Sequence, residues 1–414
     1  MTASRSTAPG DAARDELSPS SPVRVNVLVM ALAGAVTVAN IYFPQPLLEA
    51  IAQGLKVSQD TAGIIASALQ IGYALGIFLI VPLADTANVR RLTTVLLVLT
   101  SGGLLVAAAS PNVVTLIVAT LAVSTTTVLP QVITPVAAAL AGPERSGHVV
   151  GLIGLGLTLG STFSRSLSGG VSDLSGNWRT AYVVAAVMTA ALLPALRRTM
   201  PERLGAGRAR LPYRKLLATL PGLLTSHREV VFSAFLGATV FAAFSAFWAT
   251  LTFHLAAPPF HQGPALAGLF SLYGLPAALL SAYAGRLNDR HGPTVVNVWA
   301  LGCIAASFAL FAFLGASMAA LIVGSNLLIL GTSSSQVANQ ARLFVLGEDK
   351  VARLNTIFML SSFGGGAIGS LAGAAAYSDH GWTGTVVVGA VFIVLTAGAL
   401  VVERAMRVRG ADSA

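Results

Sequence analysis

One arginine, Arg165, lies deep inside an apolar, membrane-length stretch predicted as a helix over 147–172. A guanidinium at the centre of such a helix costs at least about 2.5–3.5 kcal/mol, so some interaction must offset this cost. All 16 acidic residues fall at helix ends, in loops or in tails, whereas Asn40, Gln45 and Gln70 lie at a similar depth. Arg165 therefore either binds substrate oxygens through its N–H donors or braces freed backbone carbonyls.

The sequence NIYFPQP is unusual within an apolar helix. Pro44 and Pro46 each remove a backbone donor and free nearby carbonyls. Such broken backbone occurs in membranes where it lines protein or a water-filled cavity. Asn40, Tyr42 and Gln45 are therefore candidates to face a cavity and bind substrate, with hydrogen bonding between helices as the alternative.

Enzyme chemistry finds no support in the sequence. The six histidines show no metal-ligand spacing, and no G-x-x-x-x-G-K-[ST] loop is present to bind ATP. Cys303, the single cysteine, lies in an apolar run and is expected to pack there. We expect no enzyme activity, no metal and no cofactor, so transport would be driven by gradients.

Composition indicates an all-α membrane protein with twelve transmembrane helices. The chain has 414 residues, of which 55% are hydrophobic and 10% charged, and its mean hydropathy is +0.77. Apolar runs of about twenty residues, which is the length that spans a bilayer, recur along it. The predicted helices cover 26–50, 61–84, 91–110, 112–140, 147–172, 178–196, 229–255, 262–285, 293–314, 316–343, 352–376 and 382–402.

Lysine and arginine residues are unevenly distributed around these helices. With the N-terminus inside, Lys56 and Arg179 fall outside, Arg165 falls within a helix, and the others of the 25 fall on cytoplasmic segments. This positive-inside pattern predicts that both termini are cytoplasmic. The net charge of +9 thus reflects topology, and the expected partner is the lipid bilayer and not nucleic acid.

The chain contains an internal repeat. A shift of 204 residues places Asp85 on Asp289 and Gly160 on Gly364, and it pairs Arg165 with a glycine. A shared offset at separated places indicates a duplicated six-helix unit. The fold is therefore predicted as two pseudo-symmetric six-helix bundles.

The repeat divides the chain into five predicted regions. They are a disordered cytoplasmic tail at 1–23, a bundle at 24–196, a cytoplasmic linker at 197–228, a second bundle at 229–403 and a cytoplasmic tail at 404–414. The basic linker suits an anionic membrane surface. Two parallel halves around a central cavity are a common transporter arrangement, with the binding site near the midplane.

The sequence AGRLNDRHG at 284–292 fits G-x-L-x-D-R-x-G, the loop signature of the major facilitator superfamily. Gly285 permits close helix contact and Gly292 permits a tight turn. Asp289 can accept hydrogen bonds from a helix N-terminus, and Arg290 can pair with an acid. Through this motif the chain resembles that superfamily, which implies the major facilitator fold and alternating access.

The first-half copy of this loop is VPLADTANVRR, which keeps Asp85, Arg90 and Arg91 but replaces the second glycine by Asn88. In the superfamily the loop latches the cytoplasmic side in the outward-open state. The resemblance therefore implies gating roles for the residues of both copies. Each carboxylate is expected to meet the start of the fifth or the eleventh helix, where Arg353 is a candidate partner.

Further segments, among them NIYFPQPLL, LQIGYALG and SSQVANQARLF, resemble a bacterial subgroup of the twelve-helix drug:proton antiporter and sugar or nucleoside efflux branch. The resemblance implies a monomer in the bacterial inner membrane that exports a small organic compound in exchange for protons. Helices 1, 4, 7 and 10 line the cavity in this superfamily. Gln131, Trp248, Gln336 and Asn339 are therefore substrate-binding candidates, with packing between helices an equal alternative.

Two other functions stay open at this point. One is uptake or exchange of an anionic solute, with Arg165 as the counter-charge. The other, more remote, is a membrane sensor that transports nothing, which would require an appended soluble domain or a long structured loop.

Overall fold

A computed structural model describes residues 26–85, 87–142, 144–201, 222–223, 227–280, 282–347 and 350–411. The predicted tail at 1–23, residues 412–414 and the greater part of the predicted linker lie outside these residues. Almost every described residue is helical, which confirms the predicted all-α class.

The first half contains eight helices in its described part. They are α1 (Val27–Tyr42), α2 (Leu48–Leu55), α3 (Gln59–Leu79), α4 (Val89–Ala108), α5 (Val113–Thr126), α6 (Leu129–Ala141), α7 (Ser146–Ser175) and α8 (Trp178–Thr199). Asparagines cap α1, α4, α5 and α8, where each side-chain oxygen accepts a hydrogen bond from a backbone N–H of the first turn.

The second half contains six helices among its described residues. They are α9 (Arg228–Ala256), α10 (Pro264–Tyr273), α11 (Leu275–Leu280), α12 (Ala282–Leu314), α13 (Met318–Phe344) and α14 (Val351–Ala411). Gly292, at φ 79°, divides α12, and Gly381, at φ 59°, divides α14. Only glycine adopts this left-handed region without strain, so both chain reversals depend on it.

Twelve membrane crossings follow for the described residues. Ten segments are long and apolar enough to cross a membrane. The last, Arg353–Met406, has 54 residues and is divided by Gly381, so it crosses twice. α10 and α11 continue into the part of α12 before Gly292 and supply one more crossing.

Two predicted helices are interrupted. The predicted helix over 26–50 is split into α1 and α2 by a 3-10 turn at Gln45–Leu47, because Pro44 and Pro46 cannot donate backbone hydrogen bonds. The predicted helix over 112–140 is divided between α5 and α6. At the other end of the chain, the helix predicted to stop at 402 continues to Ala411.

Glycines bring two helix pairs into close contact. An added Cβ at Gly160 on α7 would meet the backbone of Ala35 on α1, and one at Gly369 on α14 would meet the backbone of Ala242 on α9. Small residues permit this approach between membrane helices. Gly364 has nothing within 4 Å of an added Cβ, whereas Gly365 and Gly369 both meet the backbone of α9, at Ala238 and Ala242.

A buried ion pair joins α12, α13 and α14. Arg342 Nη2 lies 3.1 Å from an oxygen of Glu403, and the two side chains are 5% and 6% exposed. Thr294 Oγ1 donates to the same carboxylate at 2.9 Å. Glu403 was expected at a helix end, but the continuation of α14 buries it.

Candidate functional site

A cavity of about 320 Å³ lies between the two halves. The first half supplies Val38 and Tyr42 from α1, and Leu157, Thr158, Ser161, Thr162 and Arg165 from α7. The second half supplies Phe241, Phe244 and Trp248 from α9, Ser271 from α10, and Ile329, Thr332, Ser333 and Gln336 from α13. Aromatic rings, hydroxyl groups and one charge therefore surround the space.

Arg165 forms one end of this cavity and is held from several sides. Its Nε donates to Gln45 Oε1 at 2.7 Å, and its Nη1 donates to the carbonyl of Ser161 at 3.2 Å and to Ser271 Oγ at 3.3 Å. The guanidinium carbon lies 4.3 Å from the ring centroid of Tyr42 and 4.2 Å from that of Trp248. Cation–π contact of this kind fixes a guanidinium plane.

The positive charge of Arg165 is not neutralised by a carboxylate among the described residues, since the described acid–base pair is that of Arg342 with Glu403. Its Nη2 donates no hydrogen bond to a described residue, although the side chain as a whole is 6% exposed. Arg165 is also the only charged residue in the described lining. The two N–H groups of Arg165 Nη2 are thus available, with the positive charge, to a molecule in the cavity.

Five of the predicted substrate-binding residues lie at this site. Tyr42, Arg165, Trp248 and Gln336 line the cavity. Gln45 does not line it but accepts the hydrogen bond from Arg165 Nε, so it orients the guanidinium. The two interpretations of Arg165 therefore combine, because the arginine is braced beside the broken helix and also faces the cavity.

Four predicted residues lie away from the described lining. Asn40 Nδ2 donates to Thr189 Oγ1 at 3.0 Å within the first half. Gln131 Nε2 donates to the hydroxyl of Tyr73 at 3.3 Å. Both therefore connect helices, which was the alternative reading of each.

The other two displaced residues are Gln70 and Asn339. Gln70 Nε2 donates to Ser245 Oγ across the two halves at 3.4 Å. Asn339 is fully buried and donates to Asn297 Oδ1 at 3.1 Å and to the carbonyl of Ser335 at 2.9 Å. Neither lines the cavity in the described part of the chain.

The sequence did not single out the hydroxyl groups of α7. Thr158, Ser161 and Thr162 precede Arg165 by seven, four and three residues, so all four share one helix face. This spacing was the available signal. The superfamily expectation had pointed to the fourth crossing, but α5 and α6 contribute no residue to the described lining.

The predicted gating loop of the second half sits at the end of the bundle where α1 begins, which we call the amino-terminal face. Asp289 and Arg290 are exposed there, and Gly292 makes the turn at φ 79°. Beside Gly285 nothing lies within 4 Å of an added Cβ, so no helix packs against it among the described residues.

In the first-half copy, Arg90 Nε donates to the carbonyl of Met200 at 2.8 Å and so ties the start of α4 to the end of α8. Arg91 is exposed. Its backbone N–H donates to Oδ1 of Asn88, the residue that caps α4. Arg353 is partly buried in the first turn of α14. The side chain of Asp85 lies outside the described residues.

The two halves meet closely at the other end of the bundle, which we call the opposite face. Ser166 Oγ on α7 donates to the carbonyl of Gly268 on α10 at 3.0 Å, and Asp173 accepts from the N–H of Ala265 at 3.0 Å. An added Cβ at Gly268 would collide with the backbone of Arg165. α7 and α10 are therefore in backbone contact just beyond the cavity.

A second contact at this end joins α3 and α14. Ser67 Oγ donates to the carbonyl of Ala367 at 3.0 Å, and an added Cβ at Gly63 would collide with Ala374. Towards the amino-terminal face, by contrast, Gly147, and likewise Gly151 and Gly154 of α7, have nothing within 4 Å of an added Cβ. The contact between α7 and the second half is thus confined to one end.

Comparison with known proteins agrees with this architecture. The profile of the Major Facilitator Superfamily matches residues 30–262 and 234–412. The chain is 35% identical over 375 residues to the uncharacterized transporter YgaY of Escherichia coli O157:H7, covering 91% of this chain and 93% of that protein. It is 25% identical over 418 residues to a Mycobacterium tuberculosis protein named multidrug resistance protein B homolog, covering 85% and 76% of the two chains.

A solved structure shares the fold. The crystal structure of a bacterial homolog of the human lysosomal transporter Spinster, in an inward-facing and unoccupied conformation, superposes with a TM-score of 0.75 at 14% identity, covering 92% of this chain and 97% of that one. The predicted fold class is confirmed, and the chain is a multi-pass membrane transporter and not an enzyme. On these grounds the chain belongs to the Major Facilitator Superfamily.

Proposed function

We propose that this chain is a secondary active transporter that moves a small organic compound across the bacterial inner membrane by alternating access, exporting it in exchange for protons. Export and proton exchange are suggested by the resemblance to the drug:proton antiporter and sugar or nucleoside efflux branch. The name of the Mycobacterium tuberculosis relative points in the same direction.

The observation that carries the proposal is a cavity lined by both halves, with α7 held against the second half at the opposite face. α7 and α10 touch at the opposite face through Ser166 and Gly268. At the amino-terminal face, Gly151 of α7 and Gly285 of α12 have open space beside them. A site between two bundles is the arrangement that alternating access requires.

With the termini in the cytoplasm, the contact between α7 and α10 would lie on the outer side of the cavity. The two six-helix bundles, predicted at 24–196 and 229–403, would then rock so that the opposite face opens while the amino-terminal face closes. The chain would act as a monomer, because each bundle supplies one wall of the same cavity.

Spin-label distances test this motion. One label pair at His148 and Arg286 reports the amino-terminal face, and a second pair at Ser175 and Gln262 reports the opposite face; these four side chains are exposed. Cys303 is first replaced by serine. We expect the first distance to shorten as the second lengthens when substrate or pH shifts the equilibrium. Distances that stay fixed in every condition, or change in the same direction, would contradict alternating access.

Direction and coupling are tested in proteoliposomes with an imposed pH gradient. Proton-coupled export predicts that substrate accumulates inside vesicles whose inserted orientation and gradient match efflux, and that a protonophore abolishes the accumulation. Accumulation that survives the protonophore would refute proton coupling.

A second candidate is uptake or exchange of an anionic solute. The observation that favours it is Arg165, whose charge lines the cavity without a carboxylate partner among the described residues. Exchange of this kind predicts rapid swapping of labelled for unlabelled anion without any pH gradient. If exchange is absent under those conditions, this candidate fails while proton-coupled export stands.

A further inference from the structure

The end of the cavity formed by Arg165 is built to receive one negative charge. Nε and Nη1 donate three hydrogen bonds that fix the guanidinium to Gln45, Ser161 and Ser271. Nη2 donates to no described residue. A carboxylate that accepts from Nη2 would form the charge-assisted hydrogen bond that the protein leaves unmade.

The walls next to this charge are flat aromatic surfaces. The rings of Phe241 and Phe244 are stacked with centroids 5.4 Å apart and an interplanar angle of 18°. Phe244 and Trp248 follow at 6.0 Å and 51°. Offset stacking and edge-to-face packing favour another planar ring over a saturated one on such surfaces.

A second polar group of side chains lies on α13, farther from the opposite face than Arg165. Thr332 Oγ1 is buried without a hydrogen-bond partner, and Gln336 makes no side-chain hydrogen bond to a described residue. The distance from the opposite face is counted from the last residue of α7 and the first residue of α13, at a rise of about 1.5 Å per residue. By this count Thr332 and Gln336 lie roughly 6–12 Å farther from the opposite face than Arg165 does. That separation matches the two ends of a substituted aromatic ring.

We infer that the transported compound is a small planar aromatic carboxylate with a hydroxyl or amino group on the far side of its ring. The carboxylate binds Arg165, the ring packs against Phe241 and Phe244, and the second polar group reaches Thr332 and Gln336. A cavity of about 320 Å³ is near the lower limit of small-molecule sites, about 300–1,000 Å³, which suits one or two rings. This substrate class depends on the proposed function, because the cavity must be the transport site.

A ligand series on the unmodified protein tests each part of this class. The full chain in lipid nanodiscs is titrated by calorimetry with 4-hydroxybenzoate, 4-hydroxybenzamide, benzoate, cyclohexanecarboxylate and benzylamine. We expect 4-hydroxybenzoate to bind about 10–100-fold more tightly than the neutral amide, because a hydrogen bond to a charged group is lost in the amide. Benzoate should bind better than cyclohexanecarboxylate, and benzylamine should not bind.

Variants then assign the two ends of the ligand. Arg165→Gln should lower the affinity for 4-hydroxybenzoate to that for 4-hydroxybenzamide while leaving the amide unchanged. Gln336→Leu and Thr332→Val should remove the advantage of 4-hydroxybenzoate over benzoate. Gln131→Leu, in a helix that does not line the described cavity, is the matched control and should change neither preference.

Several outcomes would overturn the inference. If 4-hydroxybenzamide binds as tightly as 4-hydroxybenzoate, or if benzylamine binds, the site does not require an anion. If cyclohexanecarboxylate binds as tightly as benzoate, the site does not require an aromatic ring. Failure of every member of the series to bind removes the class altogether, whether or not the variants fold. The spin-label distances decide the proposed function separately, since opposed distance changes with another compound would keep the transporter and discard this substrate.

Discussion

The two halves of the molecule meet at two crossings near the opposite face, and the crossings are alike in packing but not in charge. At one, Gly268 of α10 rests on the backbone of α7 at Arg165. At the other, Gly63 of α3 rests against α14 at Ala374. The two halves therefore come into contact at both crossings, although the contacted residue is an arginine at one and an alanine at the other.

This difference shows whether Arg165 is required for packing or for binding a ligand. Gly268 meets the backbone of Arg165, so packing at this crossing does not require the arginine side chain. The arginine costs about 2.5–3.5 kcal/mol or more within a membrane, and no carboxylate among the described residues compensates it. The anionic ligand inferred above would supply the missing negative charge.

A second arginine shows what a structural charge looks like in the same fold. Arg342 is paired with Glu403 at 3.1 Å, away from the described cavity lining. Thr294 and Arg342 also approach within hydrogen-bond distance, at 3.4 Å. Arg342 has its counter-charge within the protein, whereas Arg165 has none among the described residues.

The largest effect is expected at this complete pair. Glu403→Gln leaves Arg342 buried without its counter-charge, and breaking a buried pair in this way costs about 3–5 kcal/mol. Unfolding of the nanodisc or detergent protein should therefore occur at a much lower temperature. Affinity for the carboxylate ligands should be unchanged in the fraction that remains folded.

The double variant Glu403→Gln with Arg342→Met is the control for this prediction, since it removes both charges together. It should recover most of the lost stability. A single variant as stable as the unmodified protein would mean that the two buried arginines do not differ in the way described.

The next largest effect is expected at the crossings themselves. Gly268→Ala and Gly63→Ala both insert a methyl group against a neighbouring helix, and overpacking of this kind costs about 1–3 kcal/mol. Each should shift the Ser175–Gln262 label distances towards the separated state. Gly151→Ala is the matched control, because its added Cβ meets nothing within 4 Å.

The two crossings should respond alike to these changes, since the packing is alike. A shift for Gly268→Ala but none for Gly63→Ala would show that α3 and α14 do not hold the opposite face closed. The two crossings would then differ in packing as well as in charge.

Much of this architecture was accessible from the sequence, because apolar length and glycine position act locally. Twelve crossings follow from hydropathy, and the turn at Gly292 follows from the loop motif. The duplication was also evident, but the offset of 204 paired Gly160 with Gly364, whereas the glycines of α14 that meet α9 are Gly365 and Gly369. Register within a helix depends on contacts between helices, which one sequence does not reveal.

The site was only partly accessible for the same reason. Arg165 and Tyr42 were identified because a charge and a proline-broken helix are conspicuous in an apolar run. Asn40 and Asn339 have the same polarity as Gln336, and the direction in which each points decides between the cavity and a neighbouring helix. Hydroxyl groups such as Ser271 carry no signal, since they are common throughout membrane helices.

A smaller effect on stability is expected when the charged crossing is converted into its uncharged counterpart. Arg165→Ala gives the first-half crossing the residue type of Ala374. The hydrogen bonds to Gln45 and Ser271 are lost, but so is the cost of the uncompensated charge, so the unfolding free energy should change by no more than about 1 kcal/mol. Thermal shift by 4-hydroxybenzoate should disappear.

Arg165→Lys keeps the charge but not the planar donor fork, and it should retain a weakened response. The measurement is the melting temperature of each variant with and without ligand. A large loss of stability in the ligand-free Arg165→Ala protein, with ligand shifts equally reduced for 4-hydroxybenzoate and 4-hydroxybenzamide, would make Arg165 a brace for the broken first helix and not an anion site.

The smallest effect concerns the two copies of the gating loop at the amino-terminal face, where the halves differ in sequence. The second-half copy keeps both motif glycines and Asp289, which is exposed. When this face closes, the carboxylate should meet the N-terminus of α7, where a negative charge contributes about 0.3–1 kcal/mol. Asp289→Asn should therefore slow transport up to about fivefold in proteoliposomes while expression is kept. Asp85→Asn, in the degenerate copy, should slow it no more than that. Asp379→Asn is the control, because Asp379 is an exposed acid beside the turn of α14 at Gly381. Equal transport rates for Asp289→Asn and this control would contradict a latch role for the second-half loop.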